Sequence, residues 1–376
     1  MQTLRNPGSD PQTPGRKPLT RHALAPAAVY LAVRLAGLVV LAIMAGAHDR
    51  TLLDVLKSWD GDWYLSIAEH GYGHTGGLVD AAGNFTQNTT LAFFPGYPML
   101  ISLFTVAPVA AGLLISLAAG ITAAYGITRL ADDRRTGLVL VALFASTPMA
   151  VTLSMVYSEA LFSACAAWAL VGVLERRWWL AALCCAGAGL VRPSAGVLIV
   201  IVIVAVILYG RTSRGVFAAI VAPLGLAGFL LFVADRTGDL FGWFALQEAG
   251  WGTAFDGGVN TGEFVGRVLT SDAPLMETAN VLTVLGAVVL CVVVVVSRVP
   301  WPLAAYGIGL VVMTAGSSGV TYSKMRLLVP AFTLLLPVAA GLARRRTGTV
   351  FAVLAATALL SGWFGGYALT AWPYAI

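Results

Sequence analysis

Apolar residues run through this chain in long, nearly unbroken stretches, and polar residues collect between them. Eleven such stretches fall near 25–47, 108–130, 137–155, 158–175, 178–192, 194–210, 215–234, 278–297, 301–316, 327–343 and 349–370. About twenty apolar residues in a helix cross a bilayer core. Inside lipid the backbone must bond to itself, so runs of this kind predict helices. The pattern predicts an all-α polytopic membrane protein with about eleven transmembrane helices, and tight turns around 155–158 and 192–194. Residues 1–24 are polar and rich in Pro and Arg; they predict a disordered cytoplasmic tail ahead of a single transmembrane domain, 25–376. The run at 25–47 is longer than a signal-peptide core and lacks a small-residue cleavage site. It reads as an uncleaved first span.

Two polar segments are far longer than turns: 48–107 and 235–277. Within the first, residues 51–70 carry Leu53, Leu56, Tyr64, Leu65 and Ile67, enough for the apolar side of a helix lying at the membrane surface. Residues 71–92 are rich in Gly, Asn and Thr and read as loop. The apolar run 93–106 is too short to cross and predicts a second interfacial helix. The 235–277 segment is rich in Gly, Trp and acids and reads as a second outer loop.

Composition fits this class: 58% of residues are hydrophobic and 11% charged, where a soluble domain carries about a quarter charged residues. The net charge of +5 is therefore a topology signal, and no nucleic-acid partner is implied. Arg129, Arg134, Arg135, Arg176, Arg177, Arg211, Arg214, Arg298 and Arg344 to Arg346 gather on alternate connections. Basic connections stay in the cytoplasm, which puts the amino terminus there as well. Asp49, Asp54, Asp60, Asp62, Glu69, Asp80, Glu159 and the acids of 235–277 then fall outside. Cys165, Cys184, Cys185 and Cys291 lie within apolar runs and read as small core residues rather than disulfides or metal ligands. Lysine is scarce (Lys17, Lys57 and Lys324) while Arg, Ala, Gly and Val abound, a bias that suggests a GC-rich bacterial genome.

The candidate chemistry starts at Trp59-Asp60-Gly61-Asp62-Trp63-Tyr64, directly after the first span. Acids at a bilayer surface are costly and usually mark a site or a partner. Reactions on lipid-linked substrates need an acid or base there and a cation for the lipid phosphate. Asp60 and Asp62 supply the first. Lys324 and Arg326, with Arg192 beside Pro193, supply the second. Each feature also has a plain structural alternative. Asp60 can cap an interfacial helix, and Glu159 can be a dipole partner at a helix start. The rings of Trp59, Trp63 and Tyr64 can form an aromatic belt. Lys324 and Arg326 can snorkel to headgroups. A metal held by Asp60, Asp62 and His70 has no recognised ligand spacing.

The run WDGDWYLSIAEHGY (59–72), followed by AFFPGYP (92–98) and YSEALF (157–162), resembles the PIG-V family of mannosyltransferases, here as a bacterial member. The likeness extends more loosely to LVRPSA (190–195) and SKMRLLVPAF (323–332). It implies a GT-C glycosyltransferase bundle that takes mannose from polyprenyl-phosphate mannose and works on the extracytoplasmic face. It also implies an essential acid in the first outer loop, which falls on Asp60 as general base, with Asp62 second. The same likeness gives Glu69, His70 and Tyr72, with Trp59 and Tyr64, to the substrate pocket, and makes Tyr157, Ser158 and Glu159 its lining. Arg326, with Lys324 close by, matches the late basic position and is the choice for the donor phosphate, with Arg192 a further candidate. No cofactor and no obligatory metal are implied. The acceptor is a lipid or a glycan; a bacterial source excludes a glycosylphosphatidylinositol. Two other readings stand beside this one. One is transfer of a different sugar from the same kind of donor. The other is a lipid-linked sugar transporter or flippase, favoured by the intramembrane Arg34.

Overall fold

The computed structural model describes residues 23–74, 76–84, 86–319 and 321–376. The expected tail lies outside the described residues except for Ala23 and Leu24. The first outer region follows α1 (Ala25–Ala47) and holds α2 (Leu52–Lys57), α3 (Asp60–His70) and α4 (Gly96–Ser102). Then come α5 (Pro108–Leu130), α6 (Arg134–Ala145), α7 (Glu159–Leu174), α8 (Trp178–Gly189) and α9 (Ala195–Tyr209). The helices α10 (Ser213–Val221) and α11 (Leu224–Thr237) form one span broken at Pro223, where proline lacks the N–H needed to continue the ladder. The second outer region holds α12 (Gly242–Trp251) and α13 (Val259–Thr270). The chain closes with α14 (Leu275–Val296), α15 (Trp301–Ala315), α16 (Lys324–Leu327), α17 (Leu336–Ala343) and α18 (Thr347–Thr370).

Five helical segments, α1, α5, α10 with α11, α14 and α18, are long and apolar enough to cross a membrane. The segments Thr321–Leu327 and Phe332–Ala343 make a sixth, bent by 66°, with Pro330 between them. Four further apolar helices, α7, α8, α9 and α15, are shorter. The protein is thus a multi-pass membrane protein whose spans differ in length more than the apolar runs predict. The expected span at 137–155 ends as a helix at Ala145 and continues as a 3-10 turn, Ala150–Ser154, on the far side of Pro148. The expected interfacial helix at 51–70 is two helices, α2 and α3, broken at Ser58 and Trp59. The 235–277 segment, read as loop, forms α12 and α13.

Helix α7 is the centre of the bundle. It is apolar on every side, and nearly all its residues are buried against α5, α8 and α9, as expected of a helix without a polar face. The outer helices leave large apolar side chains uncovered, among them Leu35, Ile43, Leu282, Val289 and Val292, where lipid is the solvent. Arg34 is buried and makes two hydrogen bonds: it donates to Ser154 Oγ at 2.9 Å and to the Ala145 carbonyl at 3.0 Å, tying α1 to the end of α6. Charged groups collect at two opposite ends of the bundle. One end carries the Arg129–Glu175 pair and the bond from Arg135 to the Arg345 carbonyl. The other carries α2 to α4.

That second end is pinned by a close approach. The Gly96 N–H donates to the Leu190 carbonyl at 2.7 Å, and a Cβ on Gly96 would sit 2.8 Å from that oxygen. Gly96→Ala is expected to push α4 off the α8–α9 turn and cost about 1–3 kcal/mol. Gly286→Ala, with nothing within 4 Å of the new methyl, should not destabilise. Thermal unfolding of the two variants in nanodiscs checks the contrast; equal melting would show that the contact at Gly96 relaxes without strain.

Candidate active site

Four charged side chains converge from four helix termini. Asp60 opens α3 and Glu159 opens α7. Arg192 lies in the α8–α9 turn, and Arg326 lies in the short α16. Carboxylates at helix starts meet the positive end of the helix dipole, which helps fix the two acids. The break before α3 is what aims Asp60. Trp59 adopts φ 62° and ψ −117°, an uncommon backbone conformation for a bulky residue. The Tyr157 hydroxyl holds the break closed, donating to the Ser58 carbonyl and accepting from the Asp60 N–H, each at 3.2 Å. The Val156 N–H adds a bond to the Leu56 carbonyl at 2.9 Å. Gly61 permits this approach, since a Cβ there would come within 3.3 Å of the Val156 carbonyl oxygen.

The charges then pair in a chain. Arg326 Nη1 donates to Asp60 Oδ2 at 2.7 Å, and its Nε lies 3.5 Å from Glu159 Oε1. Arg192 Nη1 lies 2.6 Å from the same Oε1. The Arg326 guanidinium also sits over the Tyr157 ring, 5.3 Å from its centroid. Side-chain exposure grades across the group: 1% at Glu159, 10% at Arg326, 12% at Arg192 and 25% at Asp60. Glu159 is thus the most buried member of the group and Asp60 the most exposed. Two acids and two arginines cancel, which is how charges survive burial.

Burial holds the Asp60 carboxyl above the usual carboxylate range. Arg326 opposes that rise, the negative charge of Glu159 adds to it, and Arg192 opposes it again. Asp62, one residue beyond Gly61, is also pushed up by burial, with Lys57 opposing. Its carboxylate makes no hydrogen bond or ion pair among the described residues. Tyr64 bonds Ser158 Oγ at 3.0 Å, and Ser158 Oγ accepts from Arg192 Nη1 at 3.4 Å.

Not all of the expected residues gather here. Asp60, Tyr64, Tyr157, Ser158, Glu159, Arg192 and Arg326 do. Lys324 turns away and donates to the carbonyls of Thr314, at 3.0 Å, and Ser317. Glu69 and His70 are exposed at the far end of α3. That end is about 15 Å from Asp60 along the axis at 1.5 Å per residue, so Asp60, Asp62 and His70 do not converge on one ion. Tyr72 donates to the Phe93 carbonyl at 2.8 Å. It lines an apolar cleft of about 500 Å³ with Ile67, Met99, Leu190, Phe229 and Phe232. Leu190 of this wall is two residues from Arg192. Sequence reasoning did not pair Trp63 with Phe93 and Trp251, whose rings pack at 5.3 to 6.4 Å and join the two outer regions. The indole at 251 sits in a Gly- and Trp-rich run that signalled aromatics but not their partner.

Removing one member of a buried charge group strands the others, at about 3–5 kcal/mol. Glu159→Gln is therefore expected to melt well below the wild type, and Arg192→Met in the same chain should recover part of the loss. Unfolding measured across this double-variant cycle would show no coupling if the carboxylate did not hold the arginines.

No known family profile matches the chain, and no curated protein matches it. Among solved structures, the crystal structure of ArnT from Cupriavidus metallidurans bound to undecaprenyl phosphate is similar. It superposes with a TM-score of 0.54 at 16% identity, over 88% of this chain and 62% of that one. This chain therefore matches less than two thirds of that protein's length. At such identity the likeness bears on architecture: the chain has an all-α, polytopic, GT-C-like membrane fold.

Proposed function

We propose that this protein is an integral-membrane glycosyltransferase that moves mannose from a polyprenyl phosphate to a lipid or glycan acceptor. The observation that carries the reading is Asp60, a partly open carboxylate held against Arg326 near an apolar cleft. The cleft suits a lipid tail, and the arginines suit its phosphate. The fold shared with a protein that holds undecaprenyl phosphate supports a donor of that class. Mannose is supported by the PIG-V-like motifs. The excess of arginine at the opposite end of the bundle supports an extracytoplasmic site and a cytoplasmic amino terminus.

In this mechanism the acceptor hydroxyl gives its proton to Asp60 as its oxygen attacks the anomeric carbon. The bond from that carbon to the phosphate oxygen breaks, and the electron pair leaves with the phosphate. The donor phosphodiester becomes a monoester with more negative charge, so a guanidinium at the leaving group stabilises the transition state more than the ground state. Arg326 has donors to spare beyond the one on Asp60. Engaging phosphate draws Arg326 from Asp60, and losing that counter-charge raises the proton affinity of the carboxylate. Donor binding thereby strengthens the base. The transfer inverts the anomeric centre, so a β-linked donor gives an α-mannoside.

Two outcomes test this reading, both read as transfer from polyprenyl-phosphate mannose in membranes. Asp60→Asn should lower transfer at least ~100-fold when compared at matched amounts of folded protein; equal transfer would remove Asp60 as the base. The pH profile follows from the raised Asp60 pKa. A base works ionised, so kcat/KM falls as pH drops through that pKa. The acid limb is expected above the ordinary value of about 3.9, and a limb at or below that value would contradict the assignment.

A further inference from the structure

A second cavity, of about 220 Å³, lies between the two outer regions and takes no part in the steps above. Asp80, Asn84, Thr86 and Thr89 of the first outer region line it, with Gly250 and Trp251 of α12 opposite. Asp80 is only 9% exposed. Its Oδ1 accepts from the N–H groups of Ala82 at 3.0 Å and Asn84 at 2.7 Å. Its Oδ2 has no hydrogen-bond partner among the described residues. That oxygen is therefore free to accept a hydrogen bond from a ligand hydroxyl. Gly250 makes the room: a Cβ there would sit 3.1 Å from that Oδ2. The Ala82 N–H bonds the Gly250 carbonyl at 3.1 Å and locks the two walls together.

We propose that this cavity is a subsite for a neutral sugar unit of the acceptor. The lining offers one strong acceptor in Asp80, an uncommitted amide in Asn84, and an indole wall in Trp251. Sugars carry hydroxyl donors beside apolar C–H faces, and a site built around such hydroxyls rejects ligands that lack them. A divalent cation fits less well, because one carboxylate oxygen is already taken by backbone N–H groups and calcium asks for six to eight oxygen ligands. Trp251 of the cavity wall packs edge-on against Trp63, ring centroids 6.4 Å apart, and Trp63 is one helical turn from Asp60. The inference rests on the proposed glycosyltransferase reading for the word acceptor; the binding site itself does not need it.

The test is direct binding of neutral mannose and glucose disaccharides to the purified full chain in nanodiscs, free of glycosidic detergent, followed by saturation-transfer NMR and calorimetry. Wild type and Asp60→Asn should bind at least one probe equally, which separates this result from any failure of catalysis. Asp80→Asn keeps an Oδ1 for both N–H groups and should weaken binding at least tenfold without changing the melting temperature. Asn84→Ala, on the exposed rim, should weaken it less and serves if Asp80→Asn misfolds. Three outcomes overturn the proposal: no binding of any disaccharide by the wild type, equal binding by Asp80→Asn and Asn84→Ala, or stabilisation by calcium with no response to sugar.

Discussion

A carboxylate in an almost dry interior must be paired, and in this protein that demand falls on Glu159. It sits at the first residue of the central helix and is shared between Arg192 and Arg326. Because the two arginines come from the α8–α9 turn and from α16, one buried acid fixes three distant parts of the chain. Arg326 then hands the constraint to Asp60, 266 residues away in sequence. Replacing the group by apolar side chains would cost little in stability. The group is thus best understood through the outermost pair, in which Asp60 is the most exposed of the four charges.

The scaffold around the charges is there to keep backbone in unusual places. Tyr157 bonds both flanks of the α2–α3 break, and Ser116 on α5 donates to the Met155 carbonyl at 2.8 Å just beneath it. The aromatic wall of Trp63, Phe93 and Trp251 then joins this rigid base to α12. The hairpin-like contact between Phe255 and Ser317 brings the second outer region to the segment that carries Lys324 and Arg326. Both outer regions are therefore anchored to the elements that carry the site.

Much of this was legible in the sequence. Long apolar runs gave the class and most of the spans, and the placement of Asp60, Glu159, Arg192 and Arg326 at run ends on one side foreshadowed their meeting. Helix length was less legible, because apolar composition continues across breaks at Pro148, Pro223 and Pro330. Lys324 and Arg326 show why site membership is harder still. Two basic residues two apart look alike in a sequence, yet positions i and i+2 of a helix do not face the same way. One reaches the carboxylates, and the other reaches the carbonyls at the end of α15. The ring pairing of Trp63 and Trp251 joins helices α3 and α12, almost two hundred residues apart, and no local pattern encodes it.

The short inner helices carry one more consequence. With 16 residues in α7 and 12 in α8, they reach about 24 Å and 18 Å at 1.5 Å per residue, against a hydrocarbon core of about 30 Å. Glu159 opens α7, Arg192 follows the end of α8, and Asp60 and Arg326 meet them there. Lipid meeting a short wall thins or tilts. For the proposed polyprenyl-phosphate donor, a thinner bilayer would bring the phosphate nearer the level of these charges, which makes bilayer thickness a variable that tunes the encounter.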